Sequence, residues 1–454
     1  MSGTIVIIGA GPGGLAAAKG ARLAGADRVI ILERNEEPGG ILNQCIHDGF
    51  GLLRYGKHLS GPEYAMHAIA EAEQCGAEIL PGHHVLRIEP DSRGHSVIAA
   101  SRNGLGKFEA DAVILSTGCR ERTRGAISIP GPRPAGIYTA GTAQNLINLR
   151  NILPGKRAVI LGSGDIGMIM ARRMRLEGME VAAVIEILPE PAGLSRNVSQ
   201  CLYDFDIPIH CRHTVSRIFG KQRVEAVEIS KVDEQRKPIK GSEQIIACDT
   251  LILSVGLIPE NETAETAGVN LDPKTNGAMT DAFLETSVRG IFACGNCRKI
   301  MDLADYVSEQ GETAGYNAVA RIQGNAMKAW DRERGSDLKK GFPEPGTVTC
   351  TLCPNGCQVK LINGIASGNR CPRGADFAAR EAVLPMRTVT TTVKTADGEL
   401  VPVHLDRPVR KDAVLPLSRE ISRMRISSSM KCGEAVGSAA WNDTEVRVLS
   451  SCGR

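Results

Sequence analysis

Two short segments with the same glycine spacing limit what this chain can fold into. The first, Gly9–Gly14 (GAGPGG), follows the apolar run Thr4–Ile8 and opens into an alanine-rich run predicted to be helical. In a strand–GxGxxG–helix unit, Gly9 permits a tight turn, Gly11 lets the backbone approach a pyrophosphate, and Gly14 lets the helix pack on the strand. The helix N-terminus offers its free N–H groups to the phosphates. The segment therefore predicts a dinucleotide site.

An acidic residue completes this unit. Glu33 ends the apolar run Val29–Leu32, about twenty residues beyond the glycines, where a carboxylate can accept hydrogen bonds from a ribose. A glycine-rich turn that binds no ligand is the alternative. The strand, the helix and the acid found together argue against it.

The same unit recurs later in the chain. The strand Arg157–Leu161 leads into GSGDIG, which supplies Gly162, Gly164 and Gly167, then a helix runs to Leu176, and Glu186 ends the next strand. Each copy is followed by an apolar strand that closes on a glycine, LSTG at Gly118 and LSVG at Gly256. Two copies predict two dinucleotide sites. Because no arginine follows Glu186 closely, the second site is expected to prefer NAD to NADP.

Composition excludes several classes of partner. The 454 residues carry a formal charge of only +3, and no lysine- or arginine-rich run suggests nucleic-acid binding. No apolar stretch approaches the ~18 to 20 residues needed for a membrane span. The start of the sequence has no signal-peptide pattern, so we expect a cytoplasmic location, where clustered cysteines serve metal binding or redox chemistry more often than disulfides.

The order of these motifs carries a family resemblance. GAGPGG, Glu33 to Gly40, LSTG, GSGDIG, LSVG and the segment Thr286–Asn296 resemble the pyridine nucleotide-disulfide oxidoreductase superfamily over about residues 1–325. The resemblance implies FAD at the first site and NAD(H) at the second, in a domain inserted into the FAD domain. It assigns to FAD Gly9, Gly11, Gly14, Glu33, Gly40, Thr117, Gly118, Gly295 and Asn296, and to NAD Gly162, Gly164, Gly167, Glu186 and Gly256.

The chain departs from this family in two respects. Asn296 stands where the family has an aspartate, so the contact to the flavin ribityl chain would be uncharged. No redox dithiol follows Gly40, where only Cys45 is found, and no CxxC pair occurs between Gly125 and Gly256. Disulfide reduction is therefore not the expected activity.

Other thiols near these motifs leave alternatives open. Cys45 and His47 are candidates for a thiol and a proton donor facing the flavin, and a packing role is equally consistent with them. Cys294 and Cys297 have CxxC spacing, which suits a redox pair, but the end of a buried strand is the favoured interpretation.

The segment GCRERTRG, Gly118–Gly125, narrows the resemblance. It resembles the FAD/NAD subunit found beside glycerol-3-phosphate-dehydrogenase-like flavoproteins and, more distantly, the large subunits of opine oxidases and hydrogen cyanide synthase. This implies an oligomeric complex, in which a second flavoprotein dehydrogenase of glycerol-3-phosphate or 2-hydroxyacid type oxidises the organic substrate.

Four cysteines crowd into one C-terminal stretch. Cys350, Cys353 and Cys357 form a C-x2-C-x3-C triplet, and Cys371 follows in a CPRG segment. Three close thiolates and one more distant thiolate can hold a [4Fe–4S] cluster, and the motif resembles the N-terminal cluster site of molybdopterin oxidoreductases. A structural zinc site with four cysteine ligands is the alternative. Further on, Asp397-Gly398 lies between two β-rich runs and predicts a hairpin.

These observations together predict the architecture and the function. The fold class is α/β, with two Rossmann-like three-layer domains and a small α+β C-terminal domain; the boundaries are 1–122 and 278–330 (FAD), 123–277 (NAD, inserted), 331–346 (linker) and 347–454 (cysteine-rich). The expected function is electron transfer between NAD(H), FAD and a [4Fe–4S] cluster, to or from the partner flavoprotein. Two alternatives are a stand-alone NADH oxidase or reductase of a small acceptor with a structural four-cysteine metal site, and a redox sensor that does not turn over.

Overall fold

The computed structural model describes residues 3–91, 94–331, 338–426, 430–442 and 444–451 of the 454-residue chain. Its chain forms two compact units, Met1–Arg120 with Leu257–Ser336, and Glu121–Gly256 with Asp337–Arg454. The segment predicted as a linker, 331–346, lies partly outside the described residues, and Cys452 lies wholly outside them. No helix in the described part of the chain has the length and apolarity that crossing a bilayer requires.

A five-stranded parallel sheet organises the first unit. Its strands, in spatial order, are Ile291–Ala293, Ala112–Leu115, Thr4–Ile8, Arg28–Leu32 and Glu78–Leu80. Helices Pro12–Leu23, Gly61–Gln74 and Ala304–Gln323 pack on one face, and the antiparallel strands His84–Pro90, His95–Ser101 and Gly104–Ala110 lie against the other.

The first strand shows why these segments are continuously apolar. Ile5 and Ile7 point into the core on the helical side, while Val6 and Ile8 point into the core on the antiparallel side. A parallel strand covered on both faces has no solvent-facing positions, so its sequence shows no alternation of apolar and polar residues. The run from Thr4 to Ile8 is therefore a strand of a three-layer domain, as the sequence predicts.

The second unit repeats this plan. Its parallel strands, in order, are Ile137–Thr139, Thr250–Leu253, Arg157–Leu161, Glu180–Glu186 and Ile209–Cys211. Helices Ala140–Arg150 and Asp165–Leu176 cover one face, and the antiparallel strands His213–Phe219, Ala226–Lys231 and Gln244–Ala247 cover the other. The two Rossmann-like layers predicted from the glycine repeat are therefore confirmed.

The C-terminal part of the second unit has two small sheets. Strands Val348–Thr349, Gln358–Ile362 and Ile365–Ser367 form the first, with helix Pro372–Glu381 packed on it. The second contains Arg425–Ile426, Thr390–Thr395, Leu400–Leu405, Thr444–Ser450 and Ala435–Trp441, with helix Val414–Ile421. Thr390–Thr395 pairs antiparallel with Leu400–Leu405 across Asp397-Gly398, which confirms the predicted hairpin.

Short elements complete the two units. The first unit also contains strands Asp48–Phe50, Leu59–Ser60 and Leu257–Pro259, 3-10 helices Gly40–Gln44 and Gly295–Cys297, and helix Glu262–Thr266. The second contains helices Arg124–Ile127, Ser195–Asn197, Val198–Leu202, Tyr203–Phe205 and Lys411–Ala413, and strands Met386–Arg387 and Val409–Arg410; strand Cys119–Glu121 lies at the boundary.

The C-terminal part is joined to the second glycine-turn domain by buried contacts. Arg387 makes hydrogen bonds to both carboxylate oxygens of Asp204, and Lys411 lies 3.0 Å from the same carboxylate. Arg173 donates to the hydroxyl of Thr391 at 3.1 Å. Leu176, on the same helix as Arg173, belongs to the core of the five-stranded C-terminal sheet. The helix that begins at the second GxGxxG therefore ends beneath the C-terminal part.

Candidate dinucleotide and cysteine sites

The first glycine turn, Gly9–Gly14, contains two kinds of glycine. Gly9 has φ +102, and a Cβ built there would lie 2.5 Å from the carbonyl oxygen of Ser116. A Cβ on Gly14 would lie 1.9 Å from the carbonyl oxygen of Gly9. A Cβ on Gly11 would meet no atom of the described residues within 4 Å, and its φ of −77 suits any residue. Packing therefore requires Gly9 and Gly14, while Gly11 leaves open space at a helix N-terminus.

The second glycine turn, Gly162–Gly167, has the same division. Gly162 has φ +100, and its Cβ would lie 2.1 Å from the carbonyl oxygen of Ser254. A Cβ on Gly167 would lie 2.6 Å from the carbonyl oxygen of Gly162, whereas one on Gly164 would meet only the Ser254 hydroxyl among the described atoms, at 3.8 Å. Open space above the middle glycine is the geometry that lets a backbone approach a pyrophosphate. Both turns have it.

The two acids make equivalent contacts in the two turns. Glu33, 4% exposed, accepts hydrogen bonds from the backbone N–H groups of Ala10 and Asn35, each at 2.8 Å. Glu186, also 4% exposed, accepts from the N–H groups of Ser163 and Leu188, each at 2.9 Å. A carboxylate has about four acceptor positions. Each acid therefore fixes its glycine turn and keeps acceptor capacity beyond these two bonds.

Ser163 makes the two sites different. Its hydroxyl donates a further hydrogen bond to Glu186, whereas Ala10 occupies the corresponding position beside Glu33 and has no hydroxyl. The same Ser163 oxygen accepts from the N–H of Ala192 at 2.9 Å. The variable positions of a GxGxxG motif give no signal of such a contact, so the sequence did not reveal it.

Gly40 and Gly295 lie close to the first glycine turn. A Cβ on Gly40 would be 3.1 Å from the Cα of Gly11, and the N–H of Gly39 donates to the carbonyl of Ala10 at 2.8 Å. Val307, at the start of the helix Ala304–Gln323, lies 3.1 Å from a Cβ built on Gly295 and 3.2 Å from one built on Gly13. The structure thus brings together glycines that the resemblance assigns to FAD, although they are far apart in sequence.

Thr117, Gly118 and Asn296 are fixed by neighbouring groups of the same unit. The Thr117 hydroxyl donates to the carbonyl of Glu260, whose N–H donates to the carbonyl of Gly118 at 3.0 Å. The Asn296 side chain accepts from the N–H of Met301 at 3.0 Å.

Gly256 closes the corresponding strand end of the second unit. It has φ +102, and its carbonyl accepts from the N–H of Arg122 at 3.1 Å. Both oxygens of Glu121 accept from the N–H of Gly141 at 2.9 Å, at the start of the helix Ala140–Arg150. Glu121 was not singled out from the sequence, because a charged residue in a crossover segment resembles an ordinary exposed one.

The structure places Cys45 and His47 in different surroundings. Cys45 is buried directly after the 3-10 helix Gly40–Gln44, and its carbonyl accepts from the N–H of Gly61 at 2.8 Å. The His47 ring lies 5.0 Å from the Phe50 ring, and its Nδ1 is 3.0 Å from the carbonyl oxygen of Asp48. A catalytic role for either residue stays a prediction.

Cys294 and Cys297 are packed inside the first unit. Both thiols are free and 0% exposed. The Cys297 thiol donates to the carbonyls of Leu115 at 3.3 Å and Cys294 at 3.1 Å. Burial raises the pKa of both thiols, so they stay protonated near neutral pH. This environment favours packing over redox exchange.

The cysteine loop, Cys350–Cys357, and Cys371 bring four thiols to one end of the small three-stranded sheet. The N–H of Cys350 donates to the carbonyl of Cys357 at 2.9 Å, and Cys371 precedes the helix Pro372–Glu381. Burial, followed by the negative charge of the other three thiols, raises the pKa of Cys350 to about 11. Among the described residues, no group of three or more His, Cys, Asp or Glu side chains is arranged to hold a metal ion. The four thiols are therefore close enough to influence one another but are not placed as ligands around a single ion.

The cysteine loop also contacts the second glycine-turn domain. A Cβ on Gly356 would lie 3.5 Å from the backbone nitrogen of Arg196. The segment that includes Arg196 is fixed by Asp165, which accepts from the N–H of Leu194 at 2.8 Å and from the side chain of Asn197 at 2.7 Å. Asp165 is the first residue of the helix that follows Gly164. The loop therefore rests on a segment that is hydrogen-bonded to the second glycine turn.

Comparison with known proteins decides the family. Residues 3–311 match the family described as pyridine nucleotide-disulphide oxidoreductase, which is well over half of the chain. The chain belongs to this family. It is therefore an FAD- and NAD(P)-dependent oxidoreductase in class, and its architecture is the two-dinucleotide fold of this family with an additional C-terminal region. Residues 372–451 match a family described as a protein of unknown function (DUF1667).

Individual relatives are distant. The chain is 24% identical over 313 residues to an opine oxidase subunit of Agrobacterium tumefaciens (strain Ach5), which covers 64% of this chain and 60% of that protein. It is 27% identical over 301 residues to rhodocoxin reductase of Rhodococcus erythropolis, which covers 65% of this chain and 64% of that protein. The chain thus spans less than two thirds of the length of these relatives.

A solved structure agrees with the fold. The crystal structure of T. acidophilum thioredoxin reductase superposes with a TM-score of 0.57 and 25% identity, covering 71% of this chain and 98% of that one. The thioredoxin reductase-like arrangement of an FAD domain and an NAD(P) domain predicted from the sequence is confirmed at the level of the fold.

Proposed function

We propose that this oxidoreductase passes electrons between NAD(H), FAD and a [4Fe–4S] cluster, to or from a partner flavoprotein dehydrogenase of glycerol-3-phosphate or 2-hydroxyacid type. The observation that carries the first half of the proposal is the open space over Gly11 and Gly164, each between two glycines that packing requires. Packing within the described part of the chain does not demand a glycine at either of these positions. A bound dinucleotide at each turn would.

The chain's own residues bind and orient the two dinucleotides. The N–H groups at the starts of helices Pro12–Leu23 and Asp165–Leu176 face the open space and suit the pyrophosphates. Glu33 and Glu186 would accept hydrogen bonds from the riboses. When bound, FAD supplies the capacity to take up a hydride and release electrons singly, which is chemistry that no side chain offers.

Glu186 supports the preference for NAD. The residue is buried, and its ionised carboxylate would repel a 2′-phosphate. The Ser163 hydroxyl adds a hydrogen bond that stabilises the charged form of this carboxylate. We therefore propose NADH rather than NADPH as the physiological donor or acceptor.

The cysteine loop supports a cluster better than a single zinc ion. Four zinc ligands must all lie at about 2.3 Å from one ion, whereas in a cubane cluster each thiolate binds a different iron, so the sulfurs stand further apart. The four thiols of Cys350, Cys353, Cys357 and Cys371 gather without single-ion geometry. This arrangement fits the larger group, which these four residues would hold.

The stand-alone reductase is the second candidate, and the similarity to rhodocoxin reductase favours it. In that case electrons would pass from NADH through FAD to a small acceptor, and the four-cysteine site would be structural. Cys45 and His47 would then be the residues to test near the flavin, since a small acceptor would have to approach it directly.

Iron and sulfide analysis of anaerobically purified protein separates the two candidates. The electron relay predicts stoichiometric iron and acid-labile sulfide, and a loss of both in Cys353→Ser. Cys432→Ser is the matched control, because Cys432 lies outside the cysteine loop and should leave the iron content unchanged. Stoichiometric zinc without iron, or NADH oxidation with a quinone that Cys353→Ser does not alter, would exclude the relay.

A further inference from the structure

One hydrogen bond joins two strand ends that the family resemblance places beside the flavin. The side-chain nitrogen of Asn296 donates to the sulfur of Cys119 at 3.5 Å. Asn296 directly follows Gly295, and Cys119 directly follows the Thr117-Gly118 pair. The two residues are 177 positions apart in the sequence.

The orientation of the Asn296 carboxamide is determined by its neighbours. The backbone N–H of Met301 lies 3.0 Å from the Asn296 oxygen, and a backbone N–H can only donate. The oxygen end must therefore face Met301, and the nitrogen end must face Cys119. A sulfur atom is a weak acceptor, so the amide nitrogen and the sulfur match each other in this arrangement.

Cys119 is itself held in place by the backbone next to it. Gly118 has φ +74, and its carbonyl accepts from the N–H of Glu260 at 3.0 Å. Arg120, on the other side of Cys119, forms an ion pair with Glu262 at 2.5 Å. The sulfur therefore has a defined position from which to orient Asn296.

We propose that Cys119 is a positioning residue for the flavin, holding the Asn296 carboxamide so that position 296 presents a neutral, oriented amide to bound FAD. This inference rests on the proposed binding of FAD at the first glycine turn. It also links the two departures of this segment: an aspartate at position 296 would have no N–H to donate to the sulfur, and it would place a negative charge beside the flavin.

The expected effects follow from losing this orientation. Cys119→Ala frees the amide to rotate, and immobilising one such side chain on binding weakens the affinity for FAD by roughly 2- to 10-fold. Cys119→Ser should restore most of the affinity, because a hydroxyl oxygen also accepts an N–H. Asn296→Asp should lower the flavin midpoint potential, since a negative charge opposes electron uptake. The lowering should be larger in the Cys119→Ala background, where no thiol is left to donate to the carboxylate.

The experiment measures two quantities on wild type, Cys119→Ala, Cys119→Ser, Asn296→Asp and the Cys119→Ala/Asn296→Asp double variant. FAD affinity is obtained from fluorescence quenching on titration of the apoprotein, and the flavin midpoint potential from equilibration with redox dyes. Cys75→Ala is the matched control, because Cys75 is a half-buried thiol of the same unit at the end of the helix Gly61–Gln74. Thermal melting of each apoprotein identifies variants that fail to fold.

The outcomes distinguish this inference from the proposal on which it rests. Weaker FAD binding in Cys119→Ala, rescue by Cys119→Ser, and non-additive potentials in the double variant would support it. Wild-type affinity in Cys119→Ala together with additive potentials would overturn it and leave FAD binding intact. A wild-type chain that takes up no FAD would overturn the proposed function and this inference with it.

Discussion

Gly11→Ala separates the needs of the fold from the needs of the cofactor. The added methyl group meets no atom of the described residues within 4 Å, and the φ and ψ of Gly11, −77 and −177, are extended values that alanine adopts without strain. A compatible glycine-to-alanine change stabilises a protein by about 0.4–1 kcal/mol, because the unfolded chain loses conformational freedom. The apoprotein should therefore be as stable as wild type or slightly more stable.

The same methyl group should obstruct FAD. It fills the space through which a pyrophosphate approaches the backbone, and forcing an extra carbon into a filled site costs about 1–3 kcal/mol. At about 1.4 kcal/mol for each tenfold change, FAD should bind roughly 5- to 100-fold more weakly. Affinity is measured by flavin fluorescence on titration of the apoprotein, and stability by urea unfolding of the apoprotein.

Two matched variants make the result specific. Gly164→Ala places a methyl group over the second turn, where the Ser254 hydroxyl is the one described group within 4 Å, so it should weaken NADH binding and spare FAD. Gly14→Ala should destabilise the protein with or without FAD, since its Cβ would lie 1.9 Å from the carbonyl oxygen of Gly9. Wild-type FAD affinity in Gly11→Ala, or a loss of apoprotein stability equal to that of Gly14→Ala, would refute the assignment of this space to a pyrophosphate.

Two further predictions concern the second unit and the buried thiols. Asp204→Asn removes a carboxylate from a buried guanidinium and should lower the free energy of unfolding by about 1.5–3 kcal/mol at neutral pH. Burial would raise the pKa of Asp204, but its cationic partners outweigh burial and hold it below the ordinary value, so the difference should shrink as the pH falls below about 4. Urea unfolding against pH measures this, with the exposed Asp412→Asn as a control expected to change stability little; equal effects at all pH values would contradict it. In the folded protein, iodoacetamide should modify Cys75 well before Cys294 and Cys297, which are buried with raised pKa values. Peptide mass spectrometry showing equal rates would exclude the packing role.

Local patterns in the sequence predicted the scaffold of both sites. The strand Arg157–Leu161 and the end of the next helix at Leu176 have the predicted bounds, because a run of apolar residues followed by GxGxxG specifies strand, turn and helix within a few residues of one another. The acids at the ends of the second strands followed from the same local spacing. These features need no knowledge of tertiary contacts.

The contacts that distinguish this chain from its relatives could not be predicted in this way. The bond between Asn296 and Cys119 joins residues 177 positions apart, and the bond between Arg387 and Asp204 joins residues 183 positions apart. No periodicity or spacing in one sequence specifies which distant polar residues meet. The same holds for the support of the cysteine loop by Arg196, which depends on how the C-terminal part packs within the second unit.

Anaerobic mixing of the FAD-loaded protein with NADH tests the central claim most directly. If the two glycine turns bind FAD and NADH for hydride transfer, the visible absorption of the oxidised flavin should disappear on addition of NADH. Gly164→Ala should require a higher NADH concentration for the same loss, and NADPH should act more weakly than NADH. A flavin that stays oxidised in excess NADH, in wild-type protein that has bound FAD, would contradict the account.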